Sequence, residues 1–430
     1  MKGKSKEDIA RSLEGYYKTS FFEMNCPVPK SDEPIQSLSD DKLSTFFHEY
    51  IHYIQDFTTM YGLHRLYVAS EYIHYAANVI YKGPKRFNVP IEPIDDDSNV
   101  YKNSYIAKLV YGDYNNTIDS FTIKNIYTDN NIVDDKHNIK GVIVKTNEGD
   151  KITFGSYAIS ESMAYLMEQL CCKDSGNVPD FPYKTAEKIA EHCSPDFASN
   201  KLNVLALCDA SLLVFNPPIQ FVSFLEKVRD GKLTIKEPRD VYRYFYGMQF
   251  EGENNITMSL IQSLTCLKDM VVKDLKSYFA NSKSYNDFKE FVEDLFAGGL
   301  EQRAKHCSFI LQMAEGGCIR QNKAISTFIE SFGSPLMSNN EMLYYSLKTN
   351  NFNMENMALF KVIYQIYRLW KKGERNCEMK EWCETSKVKV DARCSTAPWL
   401  RCNDQGPLCP YAFLWKSWNL CGFEPIVNNS

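Results

Sequence analysis

The clearest hydrophobic pattern in the chain is a stripe of apolar residues that recurs every three or four positions between residues 43 and 57. The stripe consists of Leu43, Phe47, Tyr50, Ile54 and Phe57. This spacing predicts an amphipathic α-helix. Ser39 is a suitable N-cap for it. Gly62 is the predicted C-cap, and a second helix over residues 63–81 is expected to fold back on the first as an antiparallel hairpin.

In other segments the apolar residues recur at different spacings. Residues 19–28 predict a short strand that ends at Pro27, and residues 84–140 predict short strands joined by polar loops, among them 104–112 and 120–127. Two β-rich runs flank residues 147–150 and predict a hairpin. Residues 156–172 then return to helical spacing. Residues 184–375 predict helix almost throughout, with no fixed repeat.

These elements predict an α+β fold that is predominantly α. With 430 residues the chain is too long for one compact core. We therefore expect a catalytic domain over residues 1–180, with a β-rich insertion at 84–155. A helical domain is expected over residues 181–375, and a small module rich in Cys and Trp over residues 376–430.

Composition excludes some classes of function. The net charge of −5 leaves no basic excess for neutralising phosphates, so no nucleic-acid partner is expected. No run of 18 apolar residues is present, which argues against a membrane span. The N-terminus lacks the apolar segment of a secretory signal. We therefore expect a cytoplasmic protein whose cysteines stay reduced unless they bind metal.

The candidate chemistry lies on the first predicted helix, in the pattern H-E-x-x-H formed by His48, Glu49 and His52. Positions i and i+4 of a helix lie on the same face, so both imidazoles can reach one ion. Zinc binds imidazole nitrogen at about 2.0–2.1 Å. Glu49 lies about 100° around the helix from His48, where its carboxylate can reach a zinc-bound water without binding the metal.

A catalytic zinc typically takes three protein ligands and a water, and two carboxylates compete for the third place. Glu161 lies on the helix predicted after the hairpin, and Glu71 lies on the second predicted helix, nineteen positions after His52.

The motif and its surroundings, over about residues 20–170, resemble the zincin metallopeptidases of the gluzincin type. In that family a Glu on a downstream helix completes the zinc site. Glu161 and Ala164 resemble the family's E-x-x-A helix, which implies that Glu161 is the third ligand. Glu71 matches the spacing of the aminopeptidase branch. However, that branch's aromatic-Asn-Glu-Gly sequence and its Gly-x-Met-x-Asn signature are both missing here, so Glu161 is preferred.

The resemblance implies that Glu49 takes a proton from the attacking water and passes it to the leaving amine. An electrophilic Tyr or His often stabilises the oxyanion in such sites. The sequence offers four candidates without favouring any over a packing role: Tyr72, His74, Tyr157 and Tyr165. Gln55 and Asp56, one turn beyond His52, are candidates for holding an imidazole in one tautomer.

The last segment holds six cysteines within 45 residues: Cys377, Cys383, Cys394, Cys402, Cys409 and Cys421. No C-x2-C pair is present, so the usual zinc-ribbon spacing is missing. A second, structural zinc held at longer spacings, an iron–sulfur cluster, reduced thiols packed with tryptophans, and disulfides all remain open.

The leading hypothesis is a zinc-dependent metallopeptidase acting on a protein or peptide, with a possible regulatory protein partner. One alternative is a regulatory or interaction module whose metal only braces the fold. Another is a zinc hydrolase that cleaves a non-peptide amide or ester.

Overall fold

The computed structural model describes residues 15–26, 38–93, 99–132, 138–173, 176–251, 257–278, 285–338, 354–385 and 388–427. Within these ranges the chain is mainly helical, with four small sheets. The predicted class, α+β and predominantly α, is confirmed at this level. No helix in the described ranges is long and apolar enough to cross a membrane.

The helices are short to medium in length and occupy most of the described chain. They are α1 (Asp40–Thr58), α2 (Met60–Lys82), α3 (Asn99–Tyr111), α4 (Ser156–Cys171), α5 (Thr185–Cys193), α6 (Pro195–Ala198), α7 (Lys201–Ser211), α8 (Pro217–Arg229), α9 (Arg239–Tyr246), α10 (Leu260–Ser277), α11 (Asn286–Lys305), α12 (Phe309–Glu315), α13 (Lys323–Phe332), α14 (Met354–Lys372), α15 (Lys380–Thr385), α16 (Arg393–Thr396) and α17 (Pro410–Ser417), with 3-10 turns at Ile319–Gln321 and Pro398–Asn403.

The strands are β1 (Tyr16–Lys18), β2 (Glu23–Asn25), β3 (Arg86–Val89), β4 (Ile123–Ile132), β5 (Asn138–Thr146), β6 (Lys151–Phe154), β7 (Gln249–Glu251), β8 (Thr257–Ser259), β9 (Leu336–Ser338) and β10 (Glu424–Val427). Antiparallel pairs join β4 to β5, β5 to β6 and β7 to β8. The β5–β6 turn lies where the sequence predicted a hairpin, around residues 147–150.

Helix α1 lies at the centre of the structure. It packs against α2, α4 and α11 and against strand β1. Most of its side chains beyond Leu43 are buried, including those outside the predicted apolar stripe. Two of its tyrosines reach the end of α13, because the hydroxyl of Tyr50 donates to Gly333 O and that of Tyr53 donates to Phe332 O, both at 2.8 Å. These bonds satisfy carbonyl groups that a helix end leaves without an intrahelical partner.

The junction after α1 differs from the prediction. One extended residue, Thr59, separates α1 from α2, whereas the sequence placed the turn at Gly62. The hydroxyl of Thr59 caps α2 by accepting from Gly62 N at 3.1 Å. Gly62 itself lies in the first turn of α2, where an added Cβ would stand 2.3 Å from Asp56 Cα. The glycine is therefore needed for close approach of the two helices, and the prediction of a C-cap was wrong.

The segment before α1 forms two short strands where the sequence predicted one. Strands β1 and β2 pair antiparallel, and β2 pairs parallel with β9, giving the order β1-β2-β9. The change of direction uses left-handed backbone at Ser20 and Phe22. The expected end of the strand at Pro27 lies outside the described residues.

The region over residues 84–140 is also partly different from the prediction. Residues 120–127 do enter a strand, β4, but residues 104–112 belong largely to helix α3. The buried side chains of α3 are Ile106, Val110 and Tyr111. Ile106 and Val110 are four positions apart, which places them on one face of a helix.

The C-terminal segment packs closely against the rest of the chain. Strand β10 pairs parallel with β3. The indole of Trp418 donates to Tyr278 O at 2.7 Å, and Trp370 of α14 packs against Trp415 and Trp418. One continuous cluster of buried side chains contains residues from all three predicted segments. The division at residues 180 and 375 remains a prediction.

Candidate metal centre

Two helices bring three potential ligands together. His48 and His52 project from one face of α1, with ring centroids 5.2 Å apart, and Glu161 projects towards them from α4. Glu161 Oε2 lies 3.4 Å from the Nε2 atoms of both His48 and His52. Among the described residues, these three form the one group of His, Cys, Asp or Glu whose ligand atoms all lie within 4.8 Å of one another.

The spacing of these atoms fits one tetrahedral ion. Bonds of about 2.1 Å at tetrahedral angles hold neighbouring ligand atoms about 3.4 Å apart. The two distances to Glu161 have this value. At 3.4 Å they are long for hydrogen bonds, which normally lie at about 2.7–3.2 Å for N–H···O.

The other nitrogen of each ring has an acceptor of its own. His48 Nδ1 lies 3.1 Å from Glu168 Oε2, and His52 Nδ1 lies 2.9 Å from Gln55 Oε1. Both contacts favour imidazoles that carry their proton on Nδ1, because carboxylate and amide oxygens accept hydrogen bonds. The Nε2 atoms of both rings then face the same oxygen of Glu161, and the three atoms lie close enough together to hold one metal ion.

Glu168 is a residue of the candidate site that the sequence did not point to. It lies seven positions after Glu161, two turns along the same face of α4. Its Oε1 accepts from the hydroxyl of Ser44 at 2.7 Å, and Ser44 lies one turn before His48 on α1. The spacing of seven between the two glutamates is the sequence signal that predicts a shared face.

The two candidates one turn beyond His52 have different roles. Gln55 holds His52 and also joins α1 to α4, because its Nε2 donates to Ser160 O at 3.2 Å. Asp56 does not contact an imidazole. Its Oδ2 accepts from the hydroxyl of Tyr17 at 2.9 Å and from Ser20 N at 2.6 Å, so it anchors the β1–β2 segment to α1. Of the two candidates, the structure therefore places Gln55 against an imidazole, and the holding of one tautomer stays a prediction.

The carboxylates and imidazoles of the site shift one another's pKa values. Burial alone would raise the pKa of Glu161, but the imidazoles of His52 and His48 hold it well below its usual value. Burial lowers the pKa of His48, and its contacts with Glu161 and Glu168 outweigh this and raise it well above its usual value. Three carboxylates, Glu49, Glu161 and Glu168, share this small space with two imidazoles, and a divalent ion bound there would offset their negative charge.

Glu49 lies beside the ligands without joining them. Its side chain is buried, and burial raises its pKa while the two imidazoles lower it. The site is recessed but not sealed, because the side chains of His48, His52 and Glu161 keep 11%, 12% and 14% of their surface exposed. The three candidate ligands therefore keep some contact with solvent.

The competing ligand and three of the four candidate electrophiles lie elsewhere. Glu71 accepts from the Tyr67 hydroxyl and from Asn103 Nδ2. The three candidate electrophiles that lie away from the site make other contacts. The Tyr72 hydroxyl donates to Ile91 O and the Tyr165 hydroxyl donates to Gly176 O. The ring of His74 packs on Tyr278.

Three aromatic side chains border the site. Tyr157 interacts electrostatically with Glu161. Two others were missed from the sequence: Tyr183, whose ring stands edge-on to His48 at 5.8 Å, and Tyr17, whose ring stacks on His52 at 6.4 Å. Both belong to segments with no regular apolar period, so no sequence pattern places them here.

Comparison of the chain with protein-family models, with curated proteins and with solved structures gives no match. The chemistry of the site therefore rests on its own geometry.

Proposed function

We propose that this chain is a zinc-dependent metallopeptidase whose metal is held by His48, His52 and Glu161. The observation that carries the proposal is the convergence of both Nε2 atoms on Glu161 Oε2 at 3.4 Å. Zinc takes this donor set of two imidazoles and one carboxylate in catalytic sites. Within the described residues no fourth His, Cys, Asp or Glu joins the group, so a zinc ion held by these three side chains would have room for water or substrate.

Zinc bound by these side chains would supply Lewis acidity, which polarises a substrate carbonyl and brings the pKa of a coordinated water towards about 7. Glu49 accepts a proton from the attacking water and passes it to the leaving amine. Its raised pKa suits a group that alternates between base and acid. Glu168 and Gln55 hold the two imidazoles with Nε2 directed at the metal position.

Among the aromatic side chains that border the site, we assign the role of donor to a developing oxyanion to Tyr183. It interacts electrostatically with Glu161, Glu49 and Glu168, so its hydroxyl lies in the field of the site. Replacing one oxyanion donor typically costs about 10² to 10³ in kcat.

A peptide substrate is favoured by the strand beside the motif. Strand β1 packs on α1, and within the described part of the chain its outer edge has no neighbouring strand. Gly15, directly before β1, approaches the side chain of Glu49, since its Cβ position lies 3.4 Å from Glu49 Cγ. An extended peptide can add to such an edge through its backbone, whereas a small amide has no use for it.

The test is hydrolysis of a broad peptide library by the zinc-loaded protein and by Glu49→Gln. General acid–base catalysis contributes about 10² to 10⁴ in rate, so we expect a loss of that size with zinc content unchanged. Glu71→Gln, on the neighbouring helix α2, is the matched control and should retain activity.

Peptide hydrolysis that is indifferent to Glu49→Gln contradicts the mechanism. A protein that holds zinc but cleaves no peptide, amide or ester favours the second function, an interaction module in which zinc only braces α1 against α4.

A further inference from the structure

Arg65 of helix α2 carries a positive charge that no acidic side chain neutralises by direct contact. The side chain is half-buried, and its Nε atom is buried without a hydrogen-bond partner. Among the residues that the structure describes, Arg65 forms no ion pair. Charged side chains are seldom buried unless they are paired. The guanidinium therefore lacks the anion that such a position usually has.

Asp56 is the acidic side chain that influences Arg65 through space. Its Oδ2 accepts from the Tyr17 hydroxyl at 2.9 Å and from Ser20 N at 2.6 Å, and its Oδ1 has no partner. A water molecule between Asp56 Oδ1 and Arg65 Nε would join the two groups and give the arginine a purely structural role. Such a bridge would use Nε alone and leave the Nη groups for another anion.

Two tyrosine rings hold the guanidinium in place. Arg65 Cζ lies 4.2 Å from the ring centroid of Tyr111 and 5.8 Å from that of Tyr61. The two rings are stacked, with 8° between their planes. Contacts with aromatic faces orient a guanidinium and leave its charge and its N–H groups in place. The arginine is therefore positioned in advance for an incoming anion.

The same rings lead towards the candidate metal centre. The Tyr111 ring lies 5.3 Å from the ring of Tyr157, and Tyr157 lies one turn before Glu161 on α4. The contacts through Tyr111 place Arg65 Cζ within about 10 Å of the Tyr157 ring, the span of about three extended residues. A peptide cleaved at the metal position would therefore bring one of its next few residues to Arg65.

A small cavity beside Arg65 indicates what that residue would carry. Its volume of about 20 Å³ has room for about one water, and no acidic side chain lines it. Phe215 also borders the cavity. The Phe215 ring stands edge-on to His64 at 5.1 Å and is 45% exposed. An unpaired guanidinium and an exposed phenyl ring at one cavity match a chain end that has a carboxylate and an apolar side chain.

We propose that Arg65 binds a carboxylate of the peptide substrate within about three residues of the cleaved bond. The two Nη groups of an arginine match the two oxygens of a carboxylate. Where the free C-terminus supplies the carboxylate, the protein removes short fragments from the C-terminal ends of peptides. The proposal rests on the peptidase function, because it names the class of peptide which that site takes.

The test compares peptides that differ only in this carboxylate. The zinc-loaded, full-length protein hydrolyses a broad peptide library with free C-termini and the same library with amidated C-termini. We expect wild type to favour the free acids by about 10- to 100-fold in kcat/KM, the range for a hydrogen bond to a charged group. Arg65→Met should slow the free acids to the rate of the amides and leave the amides unchanged.

Two further amidated libraries, which end in Asp or in Asn, detect a side-chain carboxylate. A preference for Asp over Asn that is lost in Arg65→Met supports the site and identifies an acidic side chain as the source. Circular dichroism establishes folding. If Arg65→Met does not fold, Arg65→Lys decides, because an ammonium cannot bind both oxygens in the same way and should narrow the preference.

Two results overturn the proposal and leave the peptidase function intact. One is a wild type that cleaves free acids, amides and both of the further libraries at equal rates. The other is equal slowing of free acids and amides in Arg65→Met, which is the effect of a structural role such as a water bridge to Asp56. Hydrolysis of none of the libraries contradicts the peptidase function itself.

Discussion

Glu168 lies outside the H-E-x-x-H motif but holds the ring of His48 in place. It receives His48 Nδ1 on one carboxylate oxygen and the Ser44 hydroxyl on the other. This fixes the ring orientation and leaves Nε2 directed at Glu161. A group that holds a ligand in this way contributes to metal affinity without touching the metal.

The first prediction concerns this contact. Glu168→Ala should weaken zinc binding by about 10- to 100-fold, as is typical when such a partner is removed. Competition with a chelator measures the affinity. Glu226→Ala, at an exposed position on α8, is the control and should leave it unchanged. An unchanged affinity in Glu168→Ala would show that the His48 ring is held by other contacts.

The second prediction concerns Asp56 and pH. Burial raises the pKa of Asp56 to about 7, and its Oδ1 has no hydrogen-bond partner. Because the carboxyl ionises more easily in the unfolded chain, its contribution to stability is complete below about pH 4. That contribution is lost as pH rises through about 7, by up to about 4 kcal/mol.

Asp56→Asn should therefore remove a fall in the free energy of unfolding between about pH 4 and pH 7. Denaturant unfolding across this range measures it, with the exposed Asp119→Asn as control. A pH profile for Asp56→Asn that superimposes on the wild-type profile would contradict the assigned ionisation.

At the scale of single residues, the H-E-x-x-H motif predicted much of the arrangement of the candidate site. Helical spacing placed His48, Glu49 and His52 on one face, and the structure brings Glu161, the preferred third candidate, to the two imidazoles. Gln55 was predicted to contact an imidazole because it lies less than one turn from His52. The positions of Tyr17 and Tyr183 were not predicted, because only tertiary packing brings their segments to the site.

At the scale of elements, α1 is held at its C-terminal end by a buried charge. Arg303 of α11 donates to Thr58 O at 3.0 Å and pairs with Asp209 of α7 at 2.8 Å. Both charged side chains are fully buried. The guanidinium also suits the negative end of the α1 helix dipole. One residue therefore joins helices α1, α7 and α11.

The third prediction compares this arginine with an exposed one. Removing one partner of a buried ion pair leaves the other charge unpaired, so Arg303→Met should reduce the free energy of unfolding by about 3–5 kcal/mol. Arg239→Met, which breaks the partly exposed pair with Glu315, should cost about 0–1 kcal/mol. Denaturant unfolding gives both values, and similar losses in the two variants would contradict the role of the buried pair.

Element boundaries were predictable where one period dominated the sequence. Helices α1 and α4 and the β5–β6 hairpin lie close to their predicted positions. The turn after α1 was predicted at Gly62, but it lies at Thr59. Gly62 allows the two helices to pack closely instead. Residues 104–112 were assigned to a strand because their apolar residues satisfy two periods over so short a stretch, and burial against the core selects the helix.

At the scale of the whole molecule, the chain places helix α1, which carries the candidate metal ligands, in the middle of a shared core. Strand β9, from residues 336–338, completes the sheet beside α1, and β10, near the C-terminus, pairs with β3. Pairings between residues hundreds of positions apart leave no local trace in sequence. For this reason the predominantly helical class was predictable, whereas the sheet topology was not.

The central claim is that His48, His52 and Glu161 form one zinc site in the folded chain. The most direct measurement is zinc per chain, by elemental analysis of wild type, Glu161→Ala and Glu71→Ala after dialysis against a weak chelator, with circular dichroism to establish folding. We predict about one zinc in wild type and in Glu71→Ala, and loss of that zinc in folded Glu161→Ala. Wild type without zinc, or zinc that survives Glu161→Ala and is lost in Glu71→Ala, would contradict the account.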